Sequence, residues 1–288
     1  MSQLRLNHLP GVLDMAMPGF SDMVTLAHAG MILSFRRIDF IPIRTLKLYP
    51  SRLSIMGKFS GHSVLKALNT FRRPDALELR LMDIGVDEIG RVDPMEPLTE
   101  ILNVMIHTNF GHVCVIKPNT ADLEIVGTVS LRSLVMYAPS LGPSFGLNEN
   151  LNVEGFSSPL LEAAPEATLD EVVQIMLTKG VRRLAIRGSS QHPETVMVDD
   201  RIISQHVFSS TGFAAWKESP EKFFKTRVEE LQLAQPGIVS SKLSLLAAWS
   251  MIYLNKAECL IVDNNKILTP WDIIIKPYMR MKQSIPSH

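Results

Sequence analysis

Four times along the chain an apolar, strand-like run ends in Ser, Thr or Asp and passes into a helix-like run. The four segments are MGKFSGHSVLKAL, VGTVSLRSLVMY, VMVDDRIISQHV and KILTPWDIIIKP, with Ser60, Ser130, Asp199 and Thr269 as the matching polar residues. The steps between these residues are 70, 69 and 70 positions. A fixed period of this length means that one supersecondary unit is reused. Four such repeats use up nearly all of the 288 residues and leave no room for a separate catalytic domain.

Inside a repeat the apolar period changes from element to element. In the second, a short strand at 88–92 and the turn Asp93-Pro94 precede a helix whose apolar face is Leu98, Ile101, Leu102 and Met105. The third repeats this with Leu169, Val172, Val173 and Met176, the i, i+3, i+4, i+7 spacing of an amphipathic helix. Thr168 stands three residues before Glu171, a capping box that fixes the start of that helix. Short apolar strands are predicted at 40–43, 113–116, 184–186 and 259–262, each followed by a loop, a second strand and a second helix. The unit is therefore β-α-β-β-α. The first copy fits least well at its start, where 12–16, Met17-Pro18 and a helix from Asp22 stand in.

This places repeat 1 at 1–70, repeat 2 at 71–137, repeat 3 at 159–235 and repeat 4 at 236–288. The stretch 138–158 is rich in Pro, Gly, Ser and Asn with no apolar period, and reads as a linker between the first and second pair. The charged, aromatic-bearing stretch 209–235 reads as a helical insert on the outside of repeat 3.

Composition narrows the function classes. With 46% apolar and 20% charged residues the chain can bury a proper core. Lys+Arg equals Asp+Glu at 29 each, so no global field draws in nucleic acid or an anionic membrane. The basic pairs Arg36-Arg37, Arg72-Arg73 and Arg182-Arg183 are short and dispersed. The two cysteines, Cys114 and Cys259, sit in apolar runs and read as small buried hydrophobes, which excludes a disulfide framework and fits a cytoplasmic setting. Asp14 interrupts the first apolar stretch, which has no cleavable signal pattern, and 243–254 is too short to span a bilayer. A phosphate-cradling Gly-rich loop, G-x-S-x-G and H-E-x-x-H are all missing, and the eight His are scattered, so neither an enzyme nor a metal centre is expected.

A β-α-β-β-α unit that closes with Gly-h-h-Thr/Ser-x-x-Asp (h, an apolar residue) and occurs in pairs resembles the CBS domain, named after cystathionine β-synthase. Repeat 4 carries the full Thr-x-x-Asp in Lys266-Ile-Leu-Thr269-Pro-Trp-Asp272. Repeats 1 and 2 keep the glycine, in Gly57-Lys-Phe-Ser60-Gly-His-Ser63 and Gly127-Thr-Val-Ser130-Leu-Arg-Ser133, but end in Ser. Repeat 3 keeps only a polar residue, Asp199. A second landmark, Gly-Val-Arg-x-x-Pro-h, survives in repeat 3 as Gly180-Val-Arg182-Arg183-Leu-Ala-Ile186. The resemblance implies an α+β fold of four CBS repeats in two Bateman modules packed as a pseudo-symmetric disc. This arrangement is similar to that of stand-alone archaeal relatives of the AMP-activated protein kinase γ subunit.

The resemblance further implies a regulatory, non-catalytic protein with adenosine-type ligands: AMP, ADP, ATP or S-adenosylmethionine. The partners implied are that small molecule and an unidentified regulated protein, with the chain a monomeric disc or a homodimer; membrane is excluded, and zero net charge speaks against nucleic acid. The expected site is built on Thr269 and Asp272. A carboxylate accepts both hydroxyl hydrogens of a ribose, and hydrogen bonds to a charged acceptor are the stronger kind. Gly237, Ile238, Val239 and Ser240 are assigned to the adenine edge, and Arg182 and Arg183 to phosphate, which a guanidinium fork matches. Ser60, Ser63, Ser130, Ser133 and His112 are the weaker candidates, since a serine offers one hydroxyl only. Two blander readings compete: Asp272 as a plain helix cap, and the arginines as a helix-end pair. A scaffold whose clefts have decayed is the alternative function, and a nucleic-acid-binding protein with these repeats is a third, which the zero net charge disfavours.

Overall fold

The computed structural model describes residues 4–6, 9, 13–15, 19–36, 38–48, 51–117, 125–142, 145–148, 150–188, 194–255 and 257–284. The expected turn at Met17-Pro18 and most of two loop tips, at 118–124 and 189–193, lie outside these residues.

In chain order, β1 (Leu13–Met15) precedes repeat 1, which comprises β2 (Phe20–Ser21), α1 (Leu26–Arg36), β3 (Phe40–Leu48), β4 (Ser51–Ser60) and α2 (Gly61–Thr70). After a short α3 (Leu81–Ile84), repeat 2 comprises β5 (Gly90–Val92), α4 (Leu98–His107), β6 (His112–Ile116), β7 (Ile125–Ser130) and α5 (Leu131–Val135). Next come α6 (Ala138–Leu141) and β8 (Ser158–Pro159). Repeat 3 runs through β9 (Glu162–Ala163), α7 (Leu169–Lys179), β10 (Arg183–Ile186), β11 (Val196–Asp199) and α8 (Asp200–Val207). It is followed by α9 (Ser210–Glu218) and α10 (Pro220–Phe224). Repeat 4 closes the chain with β12 (Gly237–Val239), α11 (Leu245–Leu254), β13 (Leu260–Val262), β14 (Lys266–Leu268) and α12 (Pro270–Ser284). The expected β-α-β-β-α order recurs in all four repeats.

The local causes are those legible in the residues. Leu98, Ile101, Leu102 and Met105 on α4, and Leu169, Val172, Val173 and Met176 on α7, are all buried. Burial of each such side chain stabilises the fold by about 1.5–3 kcal/mol. Thr168 and Glu171 form the reciprocal capping box, and Gly180 ends α7 with φ +63°, a conformation that suits glycine. One boundary differs. Helix α1 starts at Leu26 rather than Asp22, because the backbone of residues 22–25 is committed elsewhere: the Asp22 N–H to Arg44, the Asp22 and Val24 carbonyls to Met82 and Leu81, and Thr25 to a bridge with Arg80.

Each repeat forms its own sheet, with its first and second strands parallel and its last two antiparallel. The sheets of repeats 2 and 4 gain a fourth strand from upstream. Strand β1 pairs with β7, and β8 pairs with β14. The chain thus lays a strand for the second member of each pair before it builds the first.

Contacts divide the chain into two compact units that interleave in sequence. One contains repeats 2 and 4 (residues 1–16, 89–160 and 236–288), the other repeats 1 and 3 (17–88 and 161–235). Each has one apolar core. The stretch expected as a linker is part of the first core. Ala138, Leu141, Phe145, Leu147, Val153 and Phe156 are buried there, and Val153 and Glu154 donate backbone hydrogen bonds to Leu243 and Ser241. Its Pro, Gly and Ser suppress an apolar period without preventing burial of the apolar residues between them. The stretch 209–235 is helical as expected, but it is not an external insert: Trp216, Phe223 and Phe224 stack edge-to-face in the second core. Both cysteines are free and buried, and no helix among the described residues is long and apolar enough to cross a membrane.

Candidate functional site

The periodic polar residues are helix caps. Ser60, Ser130 and Asp199 each accept a bond from the backbone N–H three residues on, at the starts of α2, α5 and α8. In repeat 4 the bond runs the other way: the Thr269 N–H and Oγ1 both donate to Asp272 Oδ2, each at 2.7 Å. All four therefore sit where a strand hands over to the N-terminus of a helix, the end of the helix dipole that favours negative charge.

Asp272 is the sole acid at the third helical position of these four helices, and it is 2% exposed. Its second oxygen accepts from Ser158 Oγ at 3.1 Å and pairs with Lys276 Nζ at 2.7 Å. The Lys276 ammonium also donates to the Phe156 carbonyl at 2.6 Å and to Ser158 Oγ at 2.9 Å. The carboxylate thus has four donors, and the lysine beside it has three acceptors. Pro270, the first residue of α12, has no N–H to offer an anion, so this helix end is better suited to a neutral sugar than to a phosphate.

Strand β12 lies two strands away in the same sheet. Gly237 is in register with Leu260, which is in register with Leu268, the residue before Thr269. Two strand spacings amount to about 10 Å, the size of a nucleoside. One side of β12 is unpaired within the sheet order, Ile238 is 54% exposed, and Ser240 is exposed as well.

The two arginines are placed otherwise than expected. They belong to the compact unit of repeats 1 and 3, whereas Thr269, Asp272 and 237–240 share the unit of repeats 2 and 4. Arg182 donates to both oxygens of Asp200, at 2.7 and 3.3 Å. Burial alone would lower its pKa, but the charge of Asp200, with Asp39 and Asp199, raises it overall. Its fork is therefore spent on a carboxylate of its own repeat. It lines a narrow crevice with Ser34, Asp39, Gly61 and Arg201. Arg183 opens β10, and its charge opposes the rise in the Asp199 pKa that burial and the charge of Asp200 produce.

The weaker candidates are caps first. Ser60 with Ser63 and Ser130 with Ser133 form capping boxes. Ser63 Oγ further donates to Asp87 Oδ2 at 2.7 Å. His112, at the start of β6, packs its ring 4.9 Å from that of Phe110. Sequence reasoning missed Ser158, Lys276 and Asp87. Lys276 had a signal, since it lies one helical turn beyond Asp272; Ser158 reaches Asp272, and Asp87 reaches Ser63 of repeat 1, only through tertiary pairing. Among the described residues no group of His, Cys, Asp or Glu is arranged to hold a metal ion.

The CBS domain family model matches residues 82–140, which is repeat 2 with its flanks. No curated protein matches the chain. Among solved structures, the fold is similar to that of a Methanocaldococcus jannaschii protein described as a candidate archaeal homologue of γ-AMPK. That similarity has a TM-score of 0.75 at 13% identity, covering 91% of this chain and 97% of the other. An uncharacterized conserved protein from Pyrococcus horikoshii aligns over 92% of this chain and 96% of its own length, with a TM-score of 0.50 and 11% identity. Residues 82–140 thus match a CBS domain, and the fold of the chain is similar to that of a solved structure over nearly its whole length.

Proposed function

We propose that this CBS-domain chain is a regulatory protein that binds an adenosine-containing ligand (AMP, ADP, ATP or S-adenosylmethionine) without transforming it, and that repeat 4 holds the sugar. The observation that carries the reading is the buried Asp272 carboxylate at the start of α12, with Thr269 beside it and the open side of β12 about 10 Å across the sheet. The ribose hydroxyls take over the Asp272 oxygen now occupied by Ser158 and Lys276, and the adenine edge meets the unpaired backbone of residues 237–239. The ligand signals only to the extent that it binds one arrangement of the protein better than another.

Titration calorimetry with the four ligands tests this. Wild type is expected to bind at least one of them at sub-millimolar concentration, and Asp272→Asn to weaken it by about 10- to 100-fold, the loss expected for hydrogen bonds to a charged acceptor. Absence of binding to wild type refutes the nucleotide reading; equal binding by the variant refutes the residue assignment. A second reading, a scaffold with degenerate clefts, draws on the four donors already on Asp272 and on Ile202 at the matching place in repeat 3. It predicts no ligand-induced rise in melting temperature across a nucleotide panel.

A further inference from the structure

Every repeat has a segment that covers the outer side of its last strand, and these coverings are in register. Two residues before the helix cap, Lys58, Thr128, Met197 and Ile267 are paired with Asp87, Asp14, Ala234 and Ser158. At the third position of the helix that comes next stand Ser63, Ser133, Ile202 and Asp272. Taken repeat by repeat, the two positions hold Ser63 with Asp87, Ser133 with Asp14, Ile202 with Ala234, and Asp272 with Ser158. Three repeats have one serine and one aspartate there. Repeat 3 has neither.

The bond between the two positions is also shared by repeats 1 and 4. Ser158 on the covering strand donates to Asp272 on the helix at 3.1 Å, and Ser63 on the helix donates to Asp87 on the covering segment at 2.7 Å. Strand and helix have exchanged side chains while the hydroxyl-to-carboxylate pair persists. The covering segment lies close because position 57 has no side chain: a Cβ on Gly57 would come within 2.3 Å of the Asp87 carbonyl oxygen. Backbone bonds run both ways between Lys58 and Asp87 and hold it there.

We propose that Asp87, from outside the helix motif, is the diol-binding acid of repeat 1, and that this site takes the same class of ligand, a nucleoside with free ribose hydroxyls. The inference rests on the function proposed above and adds a second site to it. Asp87 is the more accessible acid of the two, with its side chain 27% exposed against 3% for Asp272. Its Oδ1 lies 3.8 Å from Lys66 Nζ, itself 65% exposed, and the charge of Lys58 also acts on this carboxylate, where Asp272 is clamped by Lys276 at 2.7 Å. A sugar hydroxyl therefore displaces less at Asp87 than at Asp272.

The test is calorimetry on the full chain with AMP and with its 2′,3′-dideoxy analogue, using wild type, Asp87→Asn, and the exchange Ser63→Asp with Asp87→Ser. Asp87→Asn is expected to remove one class of AMP site or weaken it by about 10-fold or more, and to leave binding of the dideoxy analogue unchanged. The exchange, which rebuilds in repeat 1 the arrangement of repeat 4, is expected to restore that site. Circular dichroism checks that the variants are folded. If wild type binds AMP and Asp87→Asn matches it, this assignment is overturned and the general reading survives. If Asp87→Asn loses binding but the exchange does not recover it, the equivalence of the two positions is overturned. If wild type binds none of the nucleotides, the function proposed above falls first.

Discussion

Repeats 3 and 4 bury a carboxylate at the same helix end and use it in opposite ways. In repeat 3 the acid is Asp200, the first residue of α8, 1% exposed and gripped by the Arg182 fork. The Asp200 N–H also bonds the Arg182 carbonyl, so side chain and backbone lock together. Helix α2 presses on this end, and a Cβ at Gly61 would meet Asp200 Cγ at 3.0 Å. In repeat 4 the acid sits two positions further into the helix, where it folds back on the cap Thr269 and shares its other oxygen with Ser158 and Lys276. A shift of two residues separates a weld from the proposed site. At the first position the carboxylate reaches the arginine ahead of the middle strand; at the third it reaches the covering strand, where the proposed sugar would replace a hydroxyl.

The largest expected effect tests the weld. Arg182→Met leaves Asp200 buried without its counter-charge, and the loss of stability in urea should be about 3–5 kcal/mol. Nucleotide affinity at repeat 4 should not change, because Arg182 contacts its own repeat's aspartate. A loss below about 1 kcal/mol would mean that Asp200 is not held by charge at all, since that is the range of an ordinary surface pair.

Legibility in the sequence tracked how far apart the partners lie. The caps Ser60, Ser130, Asp199 and Thr269 and the helix faces were readable because they depend on neighbours within a turn. The Arg182 fork was not, because its partner lies 18 residues on and belongs to a different element. Asp87 and Ser158 were further from reach. Their covering segments are single bridges or two-residue strands, too short for a period of two, and Ser158 lies in a stretch whose Pro and Gly resemble a linker. The same composition concealed Phe145, Leu147 and Val153 as core residues. Among the expected site residues, Thr269, Asp272 and 237–240 fall on one sheet and its helix, and the arginines fall in the other compact unit.

An intermediate effect sharpens the other side of the comparison. Lys276→Met removes one of four donors from Asp272 but leaves those of Thr269 and Ser158 in place. The stability cost should be about 1–3 kcal/mol, smaller than for Arg182→Met. On the proposed function Lys276 competes with a sugar for the same oxygen, so AMP should bind several-fold more tightly to the variant. A variant that loses stability without gaining affinity would make the lysine a structural clamp alone.

The smallest effect concerns Asp199, the cap beside the weld. Burial, and then the charge of Asp200, raise its pKa above the ordinary carboxylate value, against opposing pulls from Arg183 and Arg201. A carboxyl whose folded pKa lies above its unfolded one binds its proton more tightly when folded. Its ionisation therefore costs stability as pH rises from the unfolded value, about 3.9, through the folded one. Asn keeps the capping oxygen that accepts the Ile202 N–H, and Asn and Asp are equally good caps. Asp199→Asn removes the titration while the cap remains, so its stability relative to wild type should rise between pH 4 and pH 7. Urea midpoints at the two pH values measure this. A relative stability that falls over the same interval would show that Arg183 and Arg201 outweigh Asp200 at this helix end, and the repeat 3 acids would then be a balanced cluster instead of a weld around one pair.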